Sequence, residues 1–368
     1  MHNENSLYQI ALTKINQVGP ATARMLMRLF DTPEQLFSEH PSKRKKISRI
    51  RPAVWKAMED PKVLKDAESE LSFVIKNNLQ LHFFKNANYP WRLNMQEDSP
   101  VLLYSKGNFQ INPERSLAIV GTRRISEYGH QLVDFLLQRL RTENVQIISG
   151  LAYGVDTAAH KVCVQLGIET LGILGHGLDR VYPHSNRSLA SRMMDHGGLL
   201  TEFGQGILPD RENFPMRNRI IAGLCDALVV IETAESGGSM ISAEIANGYN
   251  REVFVFPGSV FSEYSRGCHK LIRQLKAQLL SHPDDLIREL QWNNKEKRIN
   301  PMQTELFDTL MEDEKKIVDW LALRESAHVD ALHLELGLGP SLLAGTLLNL
   351  EMKGIIRTLP GKKYTLTH

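Results

Sequence analysis

The spacing of apolar and polar positions divides the chain into three stretches. From residue 6 to about 82, apolar residues recur at three- and four-residue intervals, the period of amphipathic helices. "SLYQIALTKINQVGPATARMLMRLF" keeps this period on both sides of a break at "VGPA". It therefore predicts helix, Gly-Pro turn, helix. Between 83 and 289 the pattern changes to short solid apolar runs: "SLAIVG", "VQIISG", "ETLGILG", "GLLTEF", "ALVVIET" and "EVFVFPG". Helical stretches such as "GHQLVDFLLQRLRTE", "GVDTAAHKVCVQLG" and "SAEIANGYN" lie between them. Runs with so few interposed polar residues predict strands buried on both faces, hence an α/β fold with a doubly wound, mainly parallel sheet. Ligands of such sheets gather at the carboxyl ends of the strands, so the loops that directly follow each run carry the candidate chemistry.

Residues 290–308, "QWNNKEKRINPMQTELFDT", are polar and aperiodic and read as a linker. In 309–368, "EKKIVDWLALR", "HVDALHLELG" and "PSLLAGTLLNLEMKG" predict three helices, and "IIRTLPGKKYTL" predicts a hairpin around a Pro-Gly turn. Three helices and a hairpin in so short a segment suggest a winged helix. Its third helix, the usual DNA reader, carries one charged side chain, Glu351. A protein-contact or packing role is expected for it.

Composition narrows the classes. At 368 residues the chain suits two or three domains, and 42% hydrophobic with 23% charged residues is globular. No stretch approaches 18 uninterrupted apolar residues, and "MHNENSLYQI" lacks a secretory pattern. Cys163, Cys225 and Cys268 are odd in number and widely spaced, which disfavours a disulfide framework or a zinc site and fits a reducing cytoplasm. Net charge is only +2, and residues 83–289 hold 21 Lys and Arg against 22 Asp and Glu. Any nucleic-acid contact must therefore use a local patch. The run from Lys43 to Lys46, with Arg49 and Arg51, is expected to be a solvated loop.

The strand-end loops are rich in anion-binding features. In "SLAIVGTRRISEYG", Gly121 ends a strand, Ser126 is placed to cap the next helix, and Arg123 and Arg124 supply bidentate donors. Arg123 is the candidate for the ligand, and Gly129 allows close approach. "SGLAYGVDTAAH" places Gly150 and Gly154 between strand and helix, with Asp156 expected as a cap and His160 as an ordinary helix residue. His176 lies between Gly175 and Gly177 and is expected to be exposed. "ENFPMRNRIIAGL" brings Phe214, Arg217, Asn218 and Arg219 together, the combination of ring, guanidinium and amide that holds single strands. In "IETAESGGSMISAEIA", Glu232 ends a strand and Ser236, Gly237, Gly238 and Ser239 form a turn into a helix, a further phosphate cradle. No Walker lysine, Gly-x-Ser-x-Gly nucleophile or two-metal acidic cluster accompanies these loops. They are read as binding loops, with no catalytic residue, metal or cofactor, and a polymer backbone crossing the rim uses all of them.

"AIVGTRRISEYG", "IISGLAYGVDTAAH", "FPMRNRIIAG", "ESGGSMISAEIA" and "VFPG" followed by "GCHKLI" together resemble the DNA-processing protein A (DprA/Smf) family. "NYPWRLNMQEDSPVLLYSKGN" resembles the segment leading into that family's sheet. The resemblance implies a helix-hairpin-helix or SAM-like domain at 1–82, a Rossmann-like core at 83–289 and a winged helix at 309–368. It further implies a cytoplasmic, non-enzymatic protein, a homodimer through the core with no membrane association, that binds single-stranded DNA. The bound strand would be passed to a RecA-type recombinase in natural transformation. By the same resemblance, the DNA contacts are Gly121, Thr122, Arg123, Arg124 and Ser126, with Phe214, Arg217, Asn218 and Arg219. The loops at Gly150 and Gly154 and at 236–239 would support them. His269 stands where the family pattern favours asparagine. A second reading starts from "SGGSMISAE", which is similar to the Gly-Gly-x-Gly-Thr-x-x-Glu segment of nucleoside-monophosphate phosphoribohydrolases. Glu244 would then be the catalytic glutamate.

Overall fold

The solid apolar runs form the centre of a nine-stranded sheet in a computed structural model of the protein. The structure describes residues 4–44, 47, 49–292, 310–322, 324, 326–359 and 363–367. The strands are β1 (Gln80–Phe83), β2 (Leu102–Asn108), β3 (Arg115–Val120), β4 (Val145–Ser149), β5 (Thr170–Ile173), β6 (Gly197–Thr201), β7 (Ala227–Val230), β8 (Glu252–Val255) and β9 (Gln278–Leu279). Their order is β1-β2-β6-β5-β4-β3-β7-β8-β9, parallel from β6 to β9 and antiparallel at β1 and β2. The mainly parallel, doubly wound fold expected from the sequence is the one observed.

Alternation within the strands explains why the runs are apolar throughout. Ala118, Val120, Ile148, Leu228, Val230, Val253 and Val255 join one core with Ile220, Ile221 and Leu224 of the helix Asn213–Leu224. Leu117, Ile119, Ile147, Val229 and Phe254 alternate with them and are equally buried. The helices Val155–Leu166 and Asn213–Leu224 both pack on β3, β4 and β5, one on each face. Each fully buried Ile or Leu on such a helix contributes about 1.5–3 kcal/mol. From β3 the chain steps outward to β4, β5 and β6, then returns to the other side of β3 as β7. The loops after β3 and β7 consequently leave toward opposite faces, and a crevice opens at this switch point.

The helices Glu4–Lys14, Pro20–Leu29 and Pro61–Lys76 occupy the N-terminal stretch, with Gly19 capping the second as the Gly-Pro turn predicts. Their core runs from Ile10, Leu26 and Val74 into Leu81, Phe83, Leu102 and Tyr104 of β1 and β2. Residues 1–290 therefore form one compact unit, and the expected boundary at 82/83 falls inside β1. The basic run is not simply a solvated loop. Arg44 is buried and donates to the Phe37 carbonyl at 2.6 Å, and Lys43 pairs with Glu39. Lys45 and Lys46 lie outside the described residues.

The second unit contains the helices Glu312–Ala322, Val329–Leu336 and Pro340–Met352. Its sheet comprises β10 (Ala327–His328), β11 (Ile356–Leu359) and β12 (Lys363–Leu366) in the order β10-β12-β11. This is the winged-helix arrangement, with a short strand β10 that the sequence pattern does not reveal. Glu351 accepts from the Thr358 N–H at 3.0 Å, so the third helix's one charge is spent on its own wing. The expected linker from 293 onward and the Pro-Gly turn at 360–361 lie outside the described residues. Among the described residues no single helix is long and apolar enough to cross a membrane.

Candidate nucleic-acid interface

The loop after β3 is pinned by backbone and leaves its arginines outside. The Thr122 N–H donates to the Glu232 carbonyl at 2.7 Å, and the Thr122 carbonyl accepts from the Val155 N–H at 3.1 Å. The Thr122 hydroxyl accepts from the Arg124 N–H at 3.1 Å. A β-carbon at Gly121 would overlap Val155, so the loop can pass this close only as glycine. Gly154 has φ +76° and lies against the backbone of Thr122 and Arg123, the conformation and the contact both requiring glycine. Arg123 and Arg124 are exposed, and neither guanidinium has a carboxylate partner among the described residues. Arg123 lies over the Phe214 ring, its Cζ 5.2 Å from the centroid.

Ser126 caps the helix Glu127–Leu140 as expected, its hydroxyl accepting from the Gly129 N–H at 3.0 Å. The anion seat expected at that helix start is nevertheless already filled. The Glu232 carboxylate accepts from the Ser126 N–H at 2.9 Å and from its hydroxyl at 2.6 Å. A β-carbon at Gly129 would overlap this carboxylate, which explains the glycine there. The charge that a helix N-terminus attracts is supplied from inside the protein.

The arginines of "FPMRNR" are also engaged internally. Arg217 is only 5% exposed, and its Nη1 donates to the carbonyls of Gly150 at 2.5 Å and Ile173 at 2.6 Å. These carbonyls end β4 and β5, so one guanidinium ties two strand ends together. A β-carbon at Gly150 would overlap the guanidinium. Arg219 pairs with Glu202 and donates to the Asp98 carbonyl at 2.8 Å. Asp156 is not the N-cap, which is Gly154. Its buried carboxylate accepts from the Ala152 N–H at 3.2 Å and holds the loop after β4. Burial pushes the Asp156 carboxyl above its ordinary pKa, with Arg217 pulling against that shift, and burial lowers the pKa of Arg217 itself.

At the switch point these loops enclose a cavity of about 290 Å³. Gly121, Thr122, Arg123, Phe214, Arg217, Asn218, Gly237, Gly238 and Ser239 line it. The helix Gly238–Gly248 opens at the cavity with no side-chain cap, leaving its first N–H groups available, while Ser239 Oγ donates to the Thr233 hydroxyl at 2.7 Å. Arg124, Ser126, Gly150, Gly154, Arg219 and Ser236 stand behind or beside the wall rather than in it. Asp156, Thr233 and Tyr264 also line it. Thr233 lies within the loop singled out after β7, whereas Tyr264 arrives on the helix Glu263–Arg273 outside any motif, so the sequence offered no signal for it. His176 is 1% exposed, contrary to expectation. Its flanking Gly177 lets the chain close against the backbone of Gly204 instead of leaving the ring outside. His269 Nε2 lies 3.1 Å from the Gly258 carbonyl, a contact from the helix Glu263–Arg273 to the loop after β8. Among the described residues no three His, Cys, Asp or Glu side chains are grouped to hold a metal.

The family model for DNA recombination-mediator protein A matches residues 80–291, and that for the DprA winged helix domain matches residues 307–362. The chain is 41% identical over 204 residues to the DNA processing protein DprA of Streptococcus pneumoniae, covering 55% of this chain and 72% of that one. It is 37% identical over 207 residues to the Bacillus subtilis protein of the same name, covering 56% and 69%. The X-ray structure of the S. pneumoniae protein superposes with a TM-score of 0.64 at 32% identity, over 78% of this chain and 99% of that one. The Helicobacter pylori DNA processing protein A, whose structure addresses its single-stranded DNA binding mode, gives 0.53 at 27% identity over 58% and 97%. With its central sheet, switch-point crevice and winged helix all accounted for, the chain belongs to the DNA recombination-mediator protein A family.

Proposed function

We propose that this chain binds single-stranded DNA along the carboxyl rim of its sheet, without catalysis, and delivers the strand to a RecA-type recombinase during natural transformation. The observation that carries this reading is Arg123, an exposed guanidinium with no internal carboxylate, lying over an aromatic face at the mouth of a cavity with an uncapped helix start. A phosphate beside Arg123 gains a charge-assisted bidentate contact, and a neighbouring base gains a ring to stack on. Arg124 adds a second free cation. Arg217, within the cavity wall, and Arg219, behind it, hold the surrounding loops in place. The core pairs with a second copy at its open β9 edge, where Leu275 and Leu279 are exposed.

The phosphoribohydrolase reading needs a glutamate at the cavity. Glu244 is exposed, pairs with Lys276 at 2.7 Å and is absent from the lining. The carboxylate that does line it, Asp156, is committed to the Ala152 N–H.

Fluorescence anisotropy with labelled single-stranded and duplex oligonucleotides at two salt concentrations tests the proposal. Preference for single strands is expected, with Arg123→Ala weakening binding by about 1–3 kcal/mol. Absence of single-strand binding at low salt would overturn the function, and hydrolysis of nucleoside monophosphates would then be assayed.

A further inference from the structure

Six aromatic side chains are exposed among the described residues: Trp91, Tyr128, Phe135, Tyr153, Tyr182 and Phe261. Two of these lie away from the strand-end rim. The Arg92 guanidinium lies 4.6 Å from the Trp91 ring, and Phe135 packs edge-on against His282 at 5.1 Å. The other four all stand where the chain leaves the carboxyl end of a strand: Tyr128 after β3, Tyr153 after β4, Tyr182 after β5 and Phe261 after β8. Four exposed aromatic rings on one rim of a sheet are placed for ligand rather than for core.

Two of them belong to the side of the rim already described. Tyr153 and Tyr182 border Arg123 and Phe214, with Tyr182 and Phe214 ring centroids 6.3 Å apart. The other two lie across Arg123, toward β8. There a groove of about 600 Å³ is lined by Tyr128, Glu232, Gly258, Ser259, Ser262 and Ser265, and Phe261 stands beside it between two of these serines. Serine hydroxyls suit the edges of a base, whereas the negative charge of Glu232 close by disfavours a phosphate. The Tyr128 hydroxyl donates to the Pro257 carbonyl at 2.8 Å, fixing the loop that carries Phe261, and Phe261 is 91% exposed at its tip.

We propose that the groove after β8 is a second base subsite, at whose edge Phe261 stacks on a nucleobase of the same strand whose phosphate is held at Arg123. This rests on the single-strand reading above and gives it a direction. The strand crosses the sheet from β5, over β4, β3 and β7, to β8, four inter-strand steps or about 19 Å. A path of that length holds only a few nucleotides, the low end of the range for single-strand sites. The groove's hydroxyls make contacts that any base can satisfy, so sequence preference stays weak.

The test compares wild type, Phe261→Ala and Arg123→Ala on a short all-thymine oligonucleotide and on one of equal length with abasic sites. Phe261→Ala should bind the thymine strand about 5- to 50-fold more weakly and the abasic strand as wild type does. Arg123→Ala should lose affinity for both. Phe261 touches little else, so the variant folds. Phe261→Trp supplies an independent readout, since its fluorescence should be quenched when the thymine strand binds. Unchanged affinity of Phe261→Ala for the thymine strand, equal losses on both strands, or an unquenched Phe261→Trp would each overturn the subsite. If wild type binds neither strand, the single-strand reading itself has failed, and the subsite falls with it.

Discussion

Arg123, from the loop after β3, and Arg217, from the helix that carries Phe214, approach the same ring and have opposite fates. Their Cζ atoms lie 5.2 and 5.9 Å from the Phe214 centroid. Arg123 stays in water, with no carboxylate partner among the described residues. Arg217 is desolvated and spends its donors on the Gly150 and Ile173 carbonyls, beside the buried Asp156. An exposed guanidinium can exchange its waters for phosphate oxygens at little loss. A buried one that already bonds two strand ends cannot leave them without orphaning both. Proximity to the site thus separates into two roles: Arg123 contacts the ligand, and Arg217 positions the loops that do.

The largest expected effect falls on stability. Arg217→Ala should destabilise the protein by about 2–5 kcal/mol, because it leaves the buried Gly150 and Ile173 carbonyls without their donor. Arg123→Ala should stay within about 0.5 kcal/mol of wild type. Denaturant midpoints decide this, and equal effects of the two changes would erase the distinction.

A smaller effect reads the same buried charge through a neighbour. His160 is buried with Nδ1 2.7 Å from the Thr170 hydroxyl, and burial first, then the Arg217 charge, hold its pKa down at about 3. The unfolded chain protonates near 6.5, so below that pH the unfolded state takes up a proton that the folded state refuses. The contribution is full above 6.5 and is lost progressively down to about 3, which amounts to about 2 kcal/mol between pH 6.5 and 5. Urea midpoints at pH 7 and pH 5 should show this acid sensitivity reduced in His160→Gln. An identical pH response in the variant would place the sensitivity elsewhere.

The smallest change is expected from removing the second unit. Ending the chain at Leu290 should alter single-strand affinity by less than about threefold, or ~0.6 kcal/mol. A large loss would mean that the winged helix touches DNA despite a third helix whose single charge, Glu351, is bound to its own wing.

The parallel strands were readable because each is a solid apolar run, and the Arg123 loop because its glycine and arginines are contiguous. β1 and β9 are too short and mixed to stand out from their surroundings. What local spacing could not give was partnership over distance. The carbonyls that claim Arg217 lie 67 and 44 residues away, and the carboxylate that fills the Ser126 seat lies 106 residues away. His176 was misjudged for a related reason. Glycines beside it signal close approach of backbone, and the approaching segment belongs to another strand's loop.

The most direct measurement is the salt dependence of single-strand affinity for wild type, Arg123→Ala and Arg217→Ala side by side. If Arg123 holds a phosphate and Arg217 does not, Arg123→Ala should flatten the log–log slope by about 0.7. Whatever affinity Arg217→Ala loses, it should keep the wild-type slope. A flattened slope for Arg217→Ala with an unchanged one for Arg123→Ala would contradict the division of roles on which this account depends.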